Sequence, residues 1–184
     1  MKPWIRSFIG LGSNLNNPQQ RIQSACEQLG EIHLCRRGKI SSFYISKPLS
    51  SGTSQNGSDQ PDYINAVAEI HTQLSAEHLL DALQLIEQQH GRTRSHKRWQ
   101  SRTLDLDILL FGNHKICSER LQIPHAELLN RNFVVMPLAE ITDNITLPSG
   151  VSLRAALDKT NFEPLTIVGQ YQPSKSAGRR SRSA

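Results

Sequence analysis

A chain of 184 residues, 37% hydrophobic and 20% charged, is long enough for one domain with a full apolar core and has the balance of a globular protein. No stretch approaches the roughly 18 consecutive apolar residues of a spanning helix, and three scattered cysteines, Cys26, Cys35 and Cys117, argue against a disulfide framework or a thiolate zinc site. The net charge of +5 sits in two acid-free windows, one holding Arg92, Arg94, Lys97, Arg98 and Arg102, the other Lys175, Arg179, Arg180 and Arg182; this leaves 12 of the 21 basic residues against 16 acidic, which is not the profile of a uniformly basic nucleic-acid binder.

The N-terminal "MKPWIRSFIGLGSN" lacks a secretory h-region and the Arg/Ser-rich pattern of a transit peptide, so cytoplasm is the expected compartment. Its "WIRSFIGL" reads as a strand ending in the turn Gly12-Ser13-Asn14. Asn17 is placed to cap a helix with Pro18 in its first position, Ile22, Ala25, Cys26 and Leu29 on its buried side, and Gly30 at its end. A second strand is expected within residues 32–44. Residues 46–62 read as loop, rich in Ser, Gly, Asn and Pro. "YINAVAEIHT" then alternates, turning Ile64, Ala66, Ala68 and Ile70 inward and Tyr63 and Asn65 the other way. Ser75 caps a second helix to about Gln89, with Leu79, Leu80, Leu83 and Ile86 buried.

After the basic window, Leu104, Leu106, Ile108 and Leu110 alternate along a strand with Asp105 and Asp107. Gly112-Asn113 turns into "KICS", and short helices are expected over residues 126–130, 134–140 and 152–157. The order β-α-β-β-α-β is that of an α+β, ferredoxin-like antiparallel sheet with two helices on one face, here with a C-terminal helical extension. One domain is expected over residues 1–169, followed by a disordered basic tail over 170–184.

Two carboxylates at i and i+2 on a strand lie roughly 6.6 Å apart. Charges that close repel unless a cation neutralises them. Hard oxygen pairs of this kind suit Mg²⁺, with water and phosphate oxygens completing its shell. With Arg92, Arg94 and Arg102 alongside, they form the equipment of phosphoryl transfer, although no P-loop and no protein-kinase motif occurs.

Five segments in register carry a resemblance: "GLGSN" (10–14), "QPDYINA" (60–66), "GRTR" (91–94), "RWQSRTLDLDILLFG" (98–112) and "IPHAELLNRNF" (123–133). Together they resemble the 6-hydroxymethyl-7,8-dihydropterin pyrophosphokinases of folate biosynthesis, over about Ile5 to Leu157. The resemblance implies diphosphate transfer from ATP to the pterin hydroxymethyl oxygen with release of AMP, and two Mg²⁺ ions on Asp105 and Asp107. Arg92, Arg94 and Arg102 would hold phosphates, and Glu87, Ile108, His125 and Arg131 would lie at the nucleotide. Tyr63 and Phe133 would stack the pterin, Asn65 would read its amide edge, and Leu49 would lie in the pterin-side loop. Trp99 would close over both substrates from a mobile segment spanning about Thr93 to Ser101. Lys47 stands where relatives commonly have proline or an acid.

The competing reading is an RNA-binding module on the same topology. Such modules expose aromatics on the central strands, where this chain carries carboxylates that repel a phosphate backbone. The expected partners are the two small substrates, acting on a monomer, with no membrane and only weak nucleic-acid contact through the tail.

Overall fold

The computed structural model describes residues 2–48, 60–92, 103–142, 145–159 and 162–174. β1 (Ile5–Ser13) is followed by α1 (Pro18–Leu29), whose buried stripe is Ile22, Ala25, Cys26 and Leu29, as the helical period requires. Pro18 occupies the first turn, but Asn17 is left-handed and its side chain makes no capping hydrogen bond.

The single strand expected within residues 32–44 is two, β2 (Cys35–Ile40) and β3 (Ser42–Ser46), and both pair with β4 (Tyr63–Thr72). The break falls at Ser41. Its N–H donates to the Val67 carbonyl at 2.9 Å, and the Val67 N–H donates to the Ser41 hydroxyl, also at 2.9 Å. A side chain replaces a backbone carbonyl, so the strand bends without orphaning a buried N–H.

Ser75 caps α2 (Ala76–Gln89), its hydroxyl accepting from the His78 N–H at 3.3 Å. Then come β5 (Asp105–Phe111), the hairpin of β6 (Ile116–Cys117) and β7 (Gln122–Ile123), α3 (Asn132–Ile141), α4 (Leu153–Lys159) and β8 (Thr166–Gln170). The helix expected over 126–130 is instead a run of turns closed by hydrogen bonds three residues long, from the Leu128 N–H to the His125 carbonyl and from the Asn130 N–H to the Glu127 carbonyl.

The sheet is antiparallel throughout, in the order β5-β1-β4-β3-β8 with β2 also on β4. This is the ferredoxin-like arrangement with one strand added at the β3 edge. Helices α1 and α2 cover one face, burying Ile9, Leu11, Ile64, Ala66, Ala68 and Ile70 of β1 and β4. The other face carries the candidate site on part of its area. Over the rest of it α3 and α4 pack Val134, Val135, Leu138 and Leu153 onto Phe8, Val67, Leu109 and Leu110.

Leu110 therefore lies on the opposite side from its expected company. Phe8 pairs with Leu110 and Ile9 with Ile108, so Leu109 is an extra residue in β5. The bulge reverses the alternation: Leu104, Leu106 and Ile108 join the helix-side core, Leu109 and Leu110 the other, and Phe111 the first again.

The chain is also held further than composition indicated. β8 pairs with β3 through Gln170. Tyr171 packs on the helix-side core with the Arg37 guanidinium 4.7 Å from its ring, and the Gln172 N–H donates to the Gln23 side chain at 3.2 Å. A tail starting at residue 170 is thus corrected for residues 170–174; residues 175–184 lie outside the described residues. No helix among the described residues is long and apolar enough to cross a membrane.

Candidate active site

The uncovered part of the second face is a cleft beside α3. Its floor follows from strand register. Gly12 on β1 is flanked by Asp105 on β5 and Asn65 on β4, and Asn65 in turn by Tyr44 on β3. One rung therefore runs Asp105, Gly12, Asn65, Tyr44, all facing the same way. In the next rung Asp107 faces Gly10. Adjacent strands lie about 4.8 Å apart, so Asp105 and Asn65 are separated by roughly 10 Å. The strip between them is glycine. A Cβ on Gly10 would meet Leu109 at 3.2 Å, and one on Gly12 would approach the Asn65 oxygen at 3.6 Å. Any larger side chain here would fill the space between carboxylates and amide.

The carboxylate end is electrostatically compensated. Arg92 Nη1 lies 2.6 Å from Asp105 Oδ1 and also contacts Glu87. Glu87, 3% exposed, lies beneath β5, where its carboxylate accepts from the Leu106 N–H at 2.8 Å. Burial pushes the Glu87 carboxyl up to about 7; Leu106 and Arg92 oppose that shift, and the nearby charges of Asp105 and Asp107 add to it. Asp107 is more open, its side chain 46% exposed, with His125 Nε2 at 3.9 Å. His125 Nδ1 accepts from the Glu127 N–H at 3.2 Å, leaving Nε2 as the hydrogen-bearing nitrogen that points to Asp107.

Among the described residues no group of three or more His, Cys, Asp or Glu side chains forms a metal cage. Two hard carboxylates on one strand face, bordered by glycine and already attracting a guanidinium, fit a cation that takes its remaining ligands from water and phosphate.

The other end of the cleft suits a flat polar ring. Tyr63 and Asn65 project from β4, and Phe133 faces them from the first turn of α3. Asn65 is buried, and its amide nitrogen donates to the Ser46 hydroxyl at 2.9 Å, which fixes the orientation of the amide. The Arg131 guanidinium lies 5.9 Å from the Phe133 ring centre, and its buried Nε has no hydrogen-bond partner among the described residues. Lys47 at the rim pairs with Asp62 at 2.9 Å.

Of the residues expected at the site, Asp105, Asp107, Tyr63, Asn65, His125, Arg131 and Phe133 line this cleft, and Arg92 reaches Asp105. Two are placed elsewhere. The Ile108 side chain is 2% exposed in the helix-side core, because its parity on β5 is opposite to that of the aspartates. Glu87 is a buried partner of Arg92 and Leu106 and does not line the cleft. Leu49, Arg94, Trp99 and Arg102, and the mobile segment expected over 93–101, lie outside the described residues. Gly12 and Ser13, expected in a turn, lie inside β1, where they pair with Asn65 and Ile64; Gly10, Gly12 and Ser46 had no expected part in the site. The glycines had a legible signal, since they share a strand face at the spacing of the aspartates; Ser46 had none, because its partner is set by β3–β4 register.

Residues 8–143 match the family model of 7,8-dihydro-6-hydroxymethylpterin-pyrophosphokinase. The chain is 49% identical over 145 residues to the 2-amino-4-hydroxy-6-hydroxymethyldihydropteridine pyrophosphokinase of Haemophilus influenzae, covering 79% of this chain and 86% of that one. Its identity to the enzyme of the same name from Pseudomonas aeruginosa is 42% over 158 residues, covering 86% of this chain and 93% of the relative. Among solved structures, the wild-type HPPK-DHPS of Plasmodium falciparum superposes with a TM-score of 0.64 at 13% identity, over 85% of this chain and 44% of the longer protein, a likeness of fold.

Proposed function

The chain belongs to the 7,8-dihydro-6-hydroxymethylpterin-pyrophosphokinase family, and from that premise we propose how its cleft divides the work. The reaction is transfer of diphosphate from ATP to the hydroxymethyl group of 6-hydroxymethyl-7,8-dihydropterin, with release of AMP, in folate biosynthesis. The observation that supports the reading best is the single rung of Asp105, Gly12 and Asn65, in which a carboxylate and an amide lie about two strand spacings apart across a glycine.

The pterin ring stacks between Tyr63 and Phe133, and Asn65, oriented by Ser46, reads its amide edge. That pose leaves the hydroxymethyl group over Gly12 and Gly10, where no side chain blocks an approaching phosphate. Arg92, Arg94, Arg102 and Arg131 bind the triphosphate, and His125 offers its Nε2 hydrogen beside Asp107. Asp105 and Asp107 are the residues that would hold two Mg²⁺ ions. When bound, the ions neutralise charge on the transferring diphosphate.

Purified protein supplied with Mg²⁺, ATP and 6-hydroxymethyl-7,8-dihydropterin should release AMP in proportion to the pterin consumed. AMP release that is absent, or that does not depend on the pterin, overturns the reading.

A further inference from the structure

At its far end the catalytic rung meets a network that the reaction does not use. Tyr44, next to Asn65, extends its hydroxyl to Glu140 Oε2 at 2.8 Å. The same carboxylate accepts from the Ser42 N–H at 3.0 and 2.9 Å and from the Ser42 hydroxyl at 2.8 Å. One carboxylate in the last turn of α3 thus takes three donors from β3. Burial, and then the bond to Glu140, push the Tyr44 phenol up, so it remains a donor at ordinary pH.

The position of this contact along α3 gives it leverage. Phe133 and Glu140 are seven residues apart, on one side of the helix and about 10 Å from end to end. Between them stands Pro137, which has no N–H to return to the Phe133 carbonyl. The helical ladder lacks a rung at the residue that forms one wall of the ring slot. The apolar contacts of Val135 and Leu138 press α3 onto the sheet but are non-directional. The hydrogen bonds to Glu140 are directional, and they tie α3 to the strand whose end carries Ser46.

Resting on the pterin-binding reading above, we propose that Glu140 is a positioning residue: through Ser42 and Tyr44 it sets the separation of Phe133 from Tyr63 and Asn65, and so tunes affinity for the pterin ring.

The test compares Glu140→Ala, Glu140→Gln and Tyr44→Phe with Leu138→Val, a packing change on the same helix. Pterin binding is read by its fluorescence in the presence of Mg²⁺ and a non-hydrolysable ATP analogue, ATP binding by calorimetry, and stability by thermal melting. Glu140→Ala should weaken pterin binding by roughly tenfold and ATP binding much less, because ATP has further contacts on the β5 side. Glu140→Gln keeps an acceptor for Tyr44 and should recover part of the loss. Leu138→Val should lower the melting temperature without separating the two affinities. If Glu140→Ala resembles Leu138→Val, or leaves pterin affinity unchanged, the proposal is wrong. Should Glu140→Ala fail to fold, Tyr44→Phe removes a single hydrogen bond, and unaltered pterin affinity in that variant also overturns it. Failure of the unmodified protein to bind the pterin would refute the functional reading instead.

Discussion

Glu87 and the two aspartates show how one environment divides three carboxyl groups. Glu87 is buried and its carboxyl is pushed from an ordinary 4.5 up to about 7. Folding therefore favours its protonated form. That contribution is complete below about pH 4.5, is lost as pH rises towards about 7, and is worth on the order of 3 kcal/mol. Glu87→Gln keeps an acceptor for the Leu106 N–H and carries no titrating proton. Its melting temperature should decline less than that of the unmodified protein between pH 5 and pH 8, and equal declines would disprove the assignment. Asp105 and Asp107, read as a strand pair, invite the expectation that removing either relieves repulsion. The structure changes that for Asp105, whose carboxylate pairs with Arg92 at 2.6 Å. Asp105→Ala should cost stability, whereas Asp107→Ala, at a half-exposed position, should stay within roughly 0.5 kcal/mol. Both should lose most diphosphate transfer. Kinetics and melting curves for the two variants side by side check this, and near-normal turnover in either sinks its metal role.

At the scale of elements, the strands and helices with an uninterrupted period were legible: α1, α2, β1, β4 and the first half of β5. What was not legible depended on partners rather than on local pattern. The Leu109 bulge arises where β5 meets β1, so alternation failed from that point and Leu110 changed sides. The split at Ser41 needs Val67 opposite it. β8 reads weakly because it is a short edge strand with Ile167 and Val168 exposed, and it forms only against β3. A chain ending before Thr166 should therefore uncover the edge of β3, lose about 1–3 kcal/mol of stability and associate on warming. Light scattering during a thermal ramp reads both effects; an unchanged melting temperature would show that β8 only rests on the sheet.

For the whole molecule, the carboxylate pair was legible in residue type and spacing, whereas Tyr63, Asn65 and Phe133 were named through the family resemblance and are brought to one cleft by the fold. The glycine strip between them became apparent only when three strands were aligned. Net charge is a property at this scale too. Four of the basic residues follow Ser174 with no acid among them. A chain ending at Ser174 should retain its kinetics and elute earlier from a polyanion resin at low salt; impaired turnover would give the tail a catalytic part. Coupling between substrates is likewise global. Mg²⁺ should tighten ATP binding by the same factor by which ATP tightens Mg²⁺ binding, as titrations run in either order can verify.

The ring slot has walls of unequal stiffness. Tyr63 and Asn65 stand on β4, a strand bonded on both sides and packed on both faces, while Phe133 stands on a helix turn with a missing rung. Amide hydrogens in the middle of β4 should be among the last to exchange with solvent, with or without ligand. Those at the start of α3 should exchange early in the free protein and slow when a ring fills the slot. The imprint of the ligand should thus appear on α3 and leave β4 almost unmarked. On the pterin-binding reading, ring selectivity would then have a physical source: a fixed template on one side and a less constrained wall on the other.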